Sequence, residues 1–520
     1  MRNSATKALL ILALTTVLVS ATTAQESKSV LESSNLKARQ VLEDGINASG
    51  GITQLRAIND ITRQIQGLRT DEGQGLAPIV HRPDYSRSVK AEVTNHPKFV
   101  SVRDLRKQRI SDSLEDKILG GQPIKFRTVL TPDSYFIVYD DIKAVRPIPS
   151  SAINSSRPSM LRRYPESLLL LAWNRPETLS WVGDYDYEGK KQRVISYADS
   201  DGALVNLFFD AESKLLTKVE TLIDNPVLGD ISSEVVYDDY RAVDKLMLPF
   251  RYIDKYGGVM LQDLRASSIV INTNPPDTLF QLPEGLAKFE SLPPTPSVTK
   301  LGEDVYAIMG TYNSLAVVFN DYVLVLEAGF SNGYSSASIA KIKEIAPGKP
   351  IRYLVTTHFH YDHLSGVRSY IAEGATIVTT PSAKQVIESL VVKTPHIRRP
   401  DQLARNPRPA TIETFSTKRV FEDGAHKVEL YDISPNPHCA EMLVAYLPKE
   451  KILFEADMLD IEIPGNVRAG GDDTADLAEK IKKLGLDVEK IVPVHGRIGS
   501  IADLMQALER RSTEKRTARR

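Results

Sequence analysis

Three imidazoles and one carboxylate fall within six residues, His358, His360, Asp362 and His363, in the run T-H-F-H-Y-D-H-L-S-G from Thr357 to Gly366. The apolar stretch Ile351 to Val355 comes just before them, so the pattern reads as a strand that ends in a loop and then enters a helix. At such a strand end alternate side chains share a side, which lets His358 and His360 converge on one metal ion and leaves Asp362 and His363 to face a second. A lone histidine in a loop is most often solvated surface. The chain has only nine histidines in 520 residues, so three in six positions beside an aspartate read as metal ligands.

The pattern H-x-H-x-D-H resembles the signature of the metallo-β-lactamase superfamily, and residues resembling the rest of that family's ligands follow in order. His438, in P-N-P-H-C-A-E-M-L, resembles the third ligand of the first metal. Asp457, in K-I-L-F-E-A-D-M, resembles the aspartate that bridges the two metals, and His495, in I-V-P-V-H-G-R, the histidine that closes the second site. The resemblance spans residues 298 to 505. It implies His358, His360 and His438 on a first ion, Asp362, His363 and His495 on a second, and Asp457 between them, with Asp362 and Asp457 as the catalytic carboxylates.

Zinc takes nitrogen, sulfur and carboxylate ligands and becomes catalytic where a coordination position is left to water, whose pKa then falls to about 7. Two Zn²⁺ per chain and hydrolysis of an ester, thioester, amide or lactam bond in a small-molecule substrate are therefore expected. Cys439, next to His438, reads as a small buried residue, with a thiolate ligand or nucleophile as its rival reading. Three departures from the family narrow the substrate. Glu327 stands where the family has an aspartate bracing the metal loops, Cys439 where serine or threonine is common, and Asp457-Met458-Leu459-Asp460 lacks both the cysteine that is a metal ligand in one branch of true lactamases and the lysine that follows it to hold the drug's carboxylate. A different chemistry, one Fe activating oxygen on a sulfur substrate, occurs among persulfide-dioxygenase relatives. His360 departs from the glutamate of diiron relatives but leaves mononuclear iron open. A third reading is a non-catalytic envelope protein whose N-terminal region binds a lipid or partner.

The rest of the chain must position this cluster. At 520 residues it is too long for one core and suits two or three domains. Apolar content of 42% and charged content of 25% are ordinary for a globular protein, and 65 basic against 66 acidic residues give no reason to expect a nucleic-acid or anionic-lipid partner. Residues 1–24 have the layout of a secretory signal peptide: Arg2 and Lys7, an apolar run from Ala8 to Val19, and small residues at Ala21 and Ala24 as cleavage points. The apolar run is too short to span a bilayer as a helix, so no integral span is expected in the mature chain. Cys439 is the sole cysteine, so no internal disulfide can form. A secreted or periplasmic location fits best.

Residues 25–292 form the expected N-terminal domain. Val30, Leu31, Leu36, Ala38, Val41, Leu42 and Ile46 have helical spacing up to Gly50-Gly51. Arg69 to Tyr85 is polar and weakly patterned, and Ala91 to Leu130 shows no clear period. From Leu168 to Pro283 short strands alternate with turns, as in Leu204 to Phe209, the turn Asp210 to Ser213, and Leu215 to Thr221. This meander resembles the curved half-barrel sheets of periplasmic lipoprotein carriers, which implies a concave face able to cradle an acyl chain. The residues themselves ask only for an antiparallel domain that positions its neighbour.

Residues 293–297 are a Pro-rich linker. Residues 298–512 alternate strands and helices, including a helix over Ser336 to Ala346, and suit the family's αββα sandwich with ligands on loops at one edge. The fold class is thus α/β (α+β), a sandwich preceded by a mainly antiparallel β domain. The loop Val391 to Pro409 carries H-I-R-R-P, which reads as solvated surface or as a face for an anionic substrate. Residues 513–520 read as a frayed basic tail.

Overall fold

The computed structural model describes residues 29–71, 73–78, 93–95, 97–117, 123–140, 142–289, 295–459, 461 and 467–517. The leader, the first two residues of the linker and the last three of the tail lie outside them. Among the described residues no helix is long and apolar enough to cross a membrane.

The chain opens on the helix Val30–Ala48. Ser29 Oγ accepts from Glu32 N at 3.1 Å as its N-cap, and the buried stripe Ala38, Val41, Leu42 and Ile46 sets its inward face. After Gly50-Gly51 a short helix, Ile52–Arg56, leads straight into the strand Asp60–Asp71. That strand is central to a fifteen-stranded sheet. It pairs antiparallel with Val259–Ile271 on one side, Ile61 opposite Ile271, and with Lys98–Asp104 on the other, so the first and last long strands of the domain lie side by side in the sheet's interior. The hairpin expected from sequence pairs Leu204–Asp210 with Leu216–Asn225, Leu207 opposite Val219. Its turn is fixed by Asp210 Oδ1, which accepts from Ser213 N at 2.7 Å.

The patternless stretch Ala91 to Leu130 contains four strands, the short Val93–Asn95 and the longer Lys98–Asp104, Arg109–Lys117 and Pro123–Leu130. The reason for the missing period lies inside the sheet. Phe126 and Val219 sit on strands far apart in sheet order, yet both line one cavity of about 570 Å³, so the sheet curls around it. Its lining mixes Phe99, Leu114 and Leu261 with charged groups. Arg103 pairs with Asp112 at 2.6 Å and Arg163 with Asp254 at 2.8 Å. Paired charges point inward where apolar side chains would have marked the strands.

The C-terminal domain is two sheets face to face. The seven-stranded sheet runs in chain order from Ser297–Gly302 to Thr411–Thr414, and the six-stranded sheet from Lys418–Glu422 to Gly499–Ser500. Alternation along single strands shows why. In Ser314–Val318, Leu315 and Val317 join the core between the sheets with Leu430, Leu443 and Phe454. Ala316 and Val318 point the other way, into the core with the helix residues Ile339, Ile342 and Ile371. Strands buried on both faces read as apolar runs and require helices outside. The helix Asn332–Ile345 starts four residues earlier than its apolar spacing indicates, because Ser331 Oγ accepts from Tyr334 N as its cap. At the other end the helix Ile501–Thr517 runs on to Thr517 within the supposed tail, and just before the tail Arg511 donates to Gly471 O and Asp472.

The two domains share a buried contact. Val227 and Leu228, in the turn between the strands Leu216–Asn225 and Gly229–Val243, and Ile231 of the second strand belong to the outer core of the C-terminal domain. The loop read as solvated or substrate-facing is part of this contact: His396 Nδ1 lies 2.6 Å from Asp224, Asp230 N donates to Pro395 O at 2.8 Å, and Ile397 N donates to Asp230 Oδ2 at 2.7 Å. His396 is buried while Arg398 and Arg399 stay exposed. One histidine in a basic run carries no mark of a partner so distant in sequence.

Candidate metal centre

The site lies at the end of the strand Ile351–Val355, where Thr356 and Thr357 turn the chain into the ligand loop. Glu327 Oε1 holds that turn, accepting from Thr357 N at 2.6 Å and from Thr357 Oγ1 at 2.5 Å. Gly366 ends the loop against the neighbouring helix, where a Cβ would meet Ser335 Oγ at 2.0 Å and Ala328 O at 2.5 Å. His438 follows Asn436, whose Oδ1 accepts from His438 N at 2.8 Å. Asp457 sits on a turn after Ile452–Glu455 with φ of +62°, a left-handed conformation that is strained for most residues and is tolerated best by Asn and Asp. Buried Glu455 accepts from Met458 N at 3.0 Å across that turn, and burial pushes its carboxyl up to about 8. His495 ends the segment after Lys490–Pro493, which buried Asn313 buttresses by donating to Pro493 O and Gly496 O.

All seven residues singled out in the sequence meet here, in two groups that share Asp457: His358, His360 and His438 in one, Asp362, His363 and His495 in the other, each with ligand atoms within 4.8 Å of one another. In the first, His438 Nε2 lies 3.1 Å from His360 Nδ1 and 3.2 Å from Asp457 Oδ2, and His358 Nε2 lies 3.5 Å from the same oxygen. In the second, Asp362 Oδ2 is 3.4 Å from both His363 Nε2 and His495 Nε2, while Asp457 offers Oδ2 to His363 at 2.8 Å and Oδ1 to His495 at 3.2 Å. A tetrahedron of ligands about 2.0–2.1 Å from a central zinc has edges of about 3.3 Å. The observed separations are close to such edges.

The electrostatics agree with that fit. Burial, with the imidazoles around it, pushes His358 well below its ordinary value, and burial with His438 brings His360 down to about 4. Both are neutral and keep lone pairs. His358 Nε2 is buried with no hydrogen-bond partner among the described residues, an arrangement that costs stability unless a cation occupies the space it faces. For His363 and His495 burial works downward too, but the carboxylates of Asp362 and Asp457 win, holding His363 well up and His495 up to about 10. Asp362 and Asp457 are held well below the usual carboxylate range: burial opposes this, and His363 and His495 outweigh it. Two carboxylates held close together thus demand positive charge at this point. Metal ions supply it without a proton on either ring.

Glu327, the expected departure, braces the loop in its own way. With φ of +67° it also reaches the second group: its Oε2 accepts from Tyr312 O–H at 3.1 Å, and Tyr312 Oη lies 2.5 Å from His363 Nδ1. Tyr312 is fully buried and sets its ring edge-on to His495 at 5.1 Å. Sequence reading passed over Tyr312 and Asn313, since one Tyr-Asn pair after a strand has no metal-ligand chemistry of its own. Cys439 is buried, burial raises its thiol to about 11, and it belongs to neither ligand group. The open side of the site is at His495 and Asp362, whose side chains are 38% and 34% exposed.

A four-layer sandwich carrying a paired His/Asp cluster at one edge of its sheets defines a metallo-hydrolase fold. Residues 309–495 match the family model described as the metallo-beta-lactamase superfamily, and the C-terminal domain is a member of it. Similar solved structures include a metallo-beta-lactamase from Pontibacter korlensis, at 21% identity over 42% of this chain and 99% of that one, with a TM-score of 0.33. The DIM-1 metallo-beta-lactamase matches at 17% identity over 42% and 99%, TM-score 0.33. The mono-zinc form of the FIM-1 metallo-beta-lactamase from Pseudomonas aeruginosa matches at 16% over 42% and 96%, TM-score 0.30.

Proposed function

We propose that this chain is an exported, zinc-dependent hydrolase of a small molecule, cleaving an ester, thioester, amide or lactam bond. The observation that carries the reading is the pair of ligand groups whose edges fit a tetrahedral ion and which share Asp457. His358 Nε2, His360 Nδ1 and His438 Nε2 would hold one ion; Asp362 Oδ2, His363 Nε2 and His495 Nε2 would hold the other; Asp457 would touch both. Bound zinc acidifies water to a pKa of about 7 and withdraws charge from the bond under attack. Asp362, at the open side, would steer the proton of the attacking water, while His358, His360 and His363 are buried on the closed side.

Elemental analysis of the purified mature protein tests this directly, with about two zinc ions per chain expected, followed by turnover on an ester, thioester and lactam panel. One iron in place of zinc would move the reading to oxygen chemistry on a sulfur substrate, and no metal after reconstitution would leave the N-terminal domain as the functional part. His360→Ala is expected to lower first-site occupancy while the circular dichroism spectrum stays native, since the loop is at an edge of the sandwich. Global unfolding of that variant would count against the assignment. Export rests on the leader, so mass spectrometry of the protein from periplasm or medium should find a mature N-terminus at Thr22 or Gln25; an intact Met1 there would sink this part.

A further inference from the structure

Four successive residues of the N-terminal domain, just beyond the strand Asp60–Asp71, lie as a strap across the ligand loops. Gly73 O accepts from Tyr361 N at 3.3 Å, Gln74 Nε2 donates to Asp362 Oδ1 at 2.8 Å, Gly75 O lies 2.9 Å from His360 Nε2, and Leu76 O accepts from Ala440 N at 3.0 Å. The first three bonds go to the H-x-H-x-D-H loop, which follows a strand of the seven-stranded sheet. The fourth goes to the His438 loop, which precedes Leu443–Leu447 of the six-stranded sheet. The strap therefore ties the two halves of the sandwich together at the metal centre. Its closeness depends on Gly73, where φ is +72° and a Cβ would sit 2.2 Å from the Tyr361 ring.

The donor and acceptor types give two of these bonds a chemical meaning. A carbonyl only accepts, so with Gly75 O beside it His360 Nε2 carries the proton, and Nδ1 keeps the lone pair that faces His438 Nε2. An amide nitrogen only donates, so Gln74 engages Asp362 Oδ1 as an ionised acceptor and leaves Oδ2 turned to His363 and His495. The reversed amide would set oxygen against oxygen.

We propose that Gln74 and Gly75 are positioning residues of the metal centre: Gly75 fixes the nitrogen that His360 presents to the first ion, and Gln74 fixes the oxygen that Asp362 presents to the second. The N-terminal sheet is then a working part of the site. This rests on the ligand assignment above and extends it to residues nearly three hundred positions away in sequence. Groups that orient metal ligands in this way change metal affinity by about 10- to 100-fold when lost.

The test is stepwise binding of Zn²⁺ to the metal-free, full-length mature chain in competition with a chromophoric chelator, with His495→Ala used to read the first site alone. Gln74→Ala is expected to weaken the second ion about tenfold or more and the first by less than about twofold. Gly73→Leu, which drives the strap off Tyr361, is expected to weaken both ions, and in the metal-free protein to speed amide exchange at Tyr361 and Ala440. Gln74→Ala removes only a side-chain bond, so it carries the test even if Gly73→Leu fails to fold. A wild type that binds two ions with constants unmoved by Gln74→Ala overturns the strap's role, even if the melting temperature falls. A wild type that binds no ion overturns the ligand assignment and the inference with it.

Discussion

Asp457→Asn should leave a folded protein that has lost the second ion's affinity about a hundredfold or more and hydrolytic turnover by about a thousandfold. Folding should survive because Asn tolerates the left-handed backbone at φ of +62° nearly as well as Asp, and its volume is the same. The chemistry should not. Asp457 Oδ2 is within 3.5 Å of ring nitrogens from His358, His363 and His438, and Oδ1 is 3.2 Å from His495. An amide puts a neutral oxygen on one side and an N–H₂, which cannot be a ligand, on the other. Loss of an outer partner alone costs about 10- to 100-fold in metal affinity, so loss of a shared ligand should cost at least the upper end. About 4 kcal/mol of lost transition-state stabilisation corresponds to a thousandfold in rate. The check is metal content beside turnover on whichever substrate the wild type cleaves. A variant with two ions and wild-type turnover would show that Asp457 does not join the two halves of the centre.

Four residues of this cluster, His358, His360, Asp362 and His363, were legible in the sequence because metal chemistry restricts both their types and their spacing, while His438, Asp457 and His495 were found only through the family resemblance. The sandwich was legible for a related reason: strands buried on both faces, such as Ser314–Val318 and Val323–Leu326, show as apolar runs. What surrounds the ligands was not. Gly75 acts through a carbonyl that every residue has, and only the local Gly-Gln-Gly at 73–75 hints that backbone must come close to something. Tyr312 acts by reaching across to Glu327 and His363, a contact that exists only after two strands have paired. The strands of the N-terminal sheet between 98 and 130 were hidden because Arg103 and Asp112 turn their charges inward as a pair. His396 looked like part of a basic surface run until the fold put Asp224 beside it.

Buried charge also sets the second large effect, in the sheet that carries the strap. Arg63, on the strand Asp60–Asp71, donates to Glu166 Oε1 at 2.8 Å, and both side chains are fully buried. Arg63 Nε further donates to Tyr252 Oη at 3.1 Å, and the guanidinium stacks 4.0 Å from the Tyr164 ring centre. These contacts orient the arginine but cannot neutralise it; among the described residues Glu166 alone does. Glu166→Ala should therefore destabilise the protein by about 3–5 kcal/mol, read by urea denaturation, because a guanidinium is left buried without a counter-ion. Arg63→Met combined with Glu166→Leu should recover most of that loss, since burying apolar groups of similar size avoids the desolvation of two ions. A single-variant loss under about 1 kcal/mol would mean that water reaches Arg63 after all. The same strand leads into Gly73, so loosening it should also loosen the hold on His360 and Asp362. Chelator should then strip bound metal from Glu166→Ala faster than from the wild type at denaturant concentrations where both remain folded, and the double variant should return to the wild-type rate.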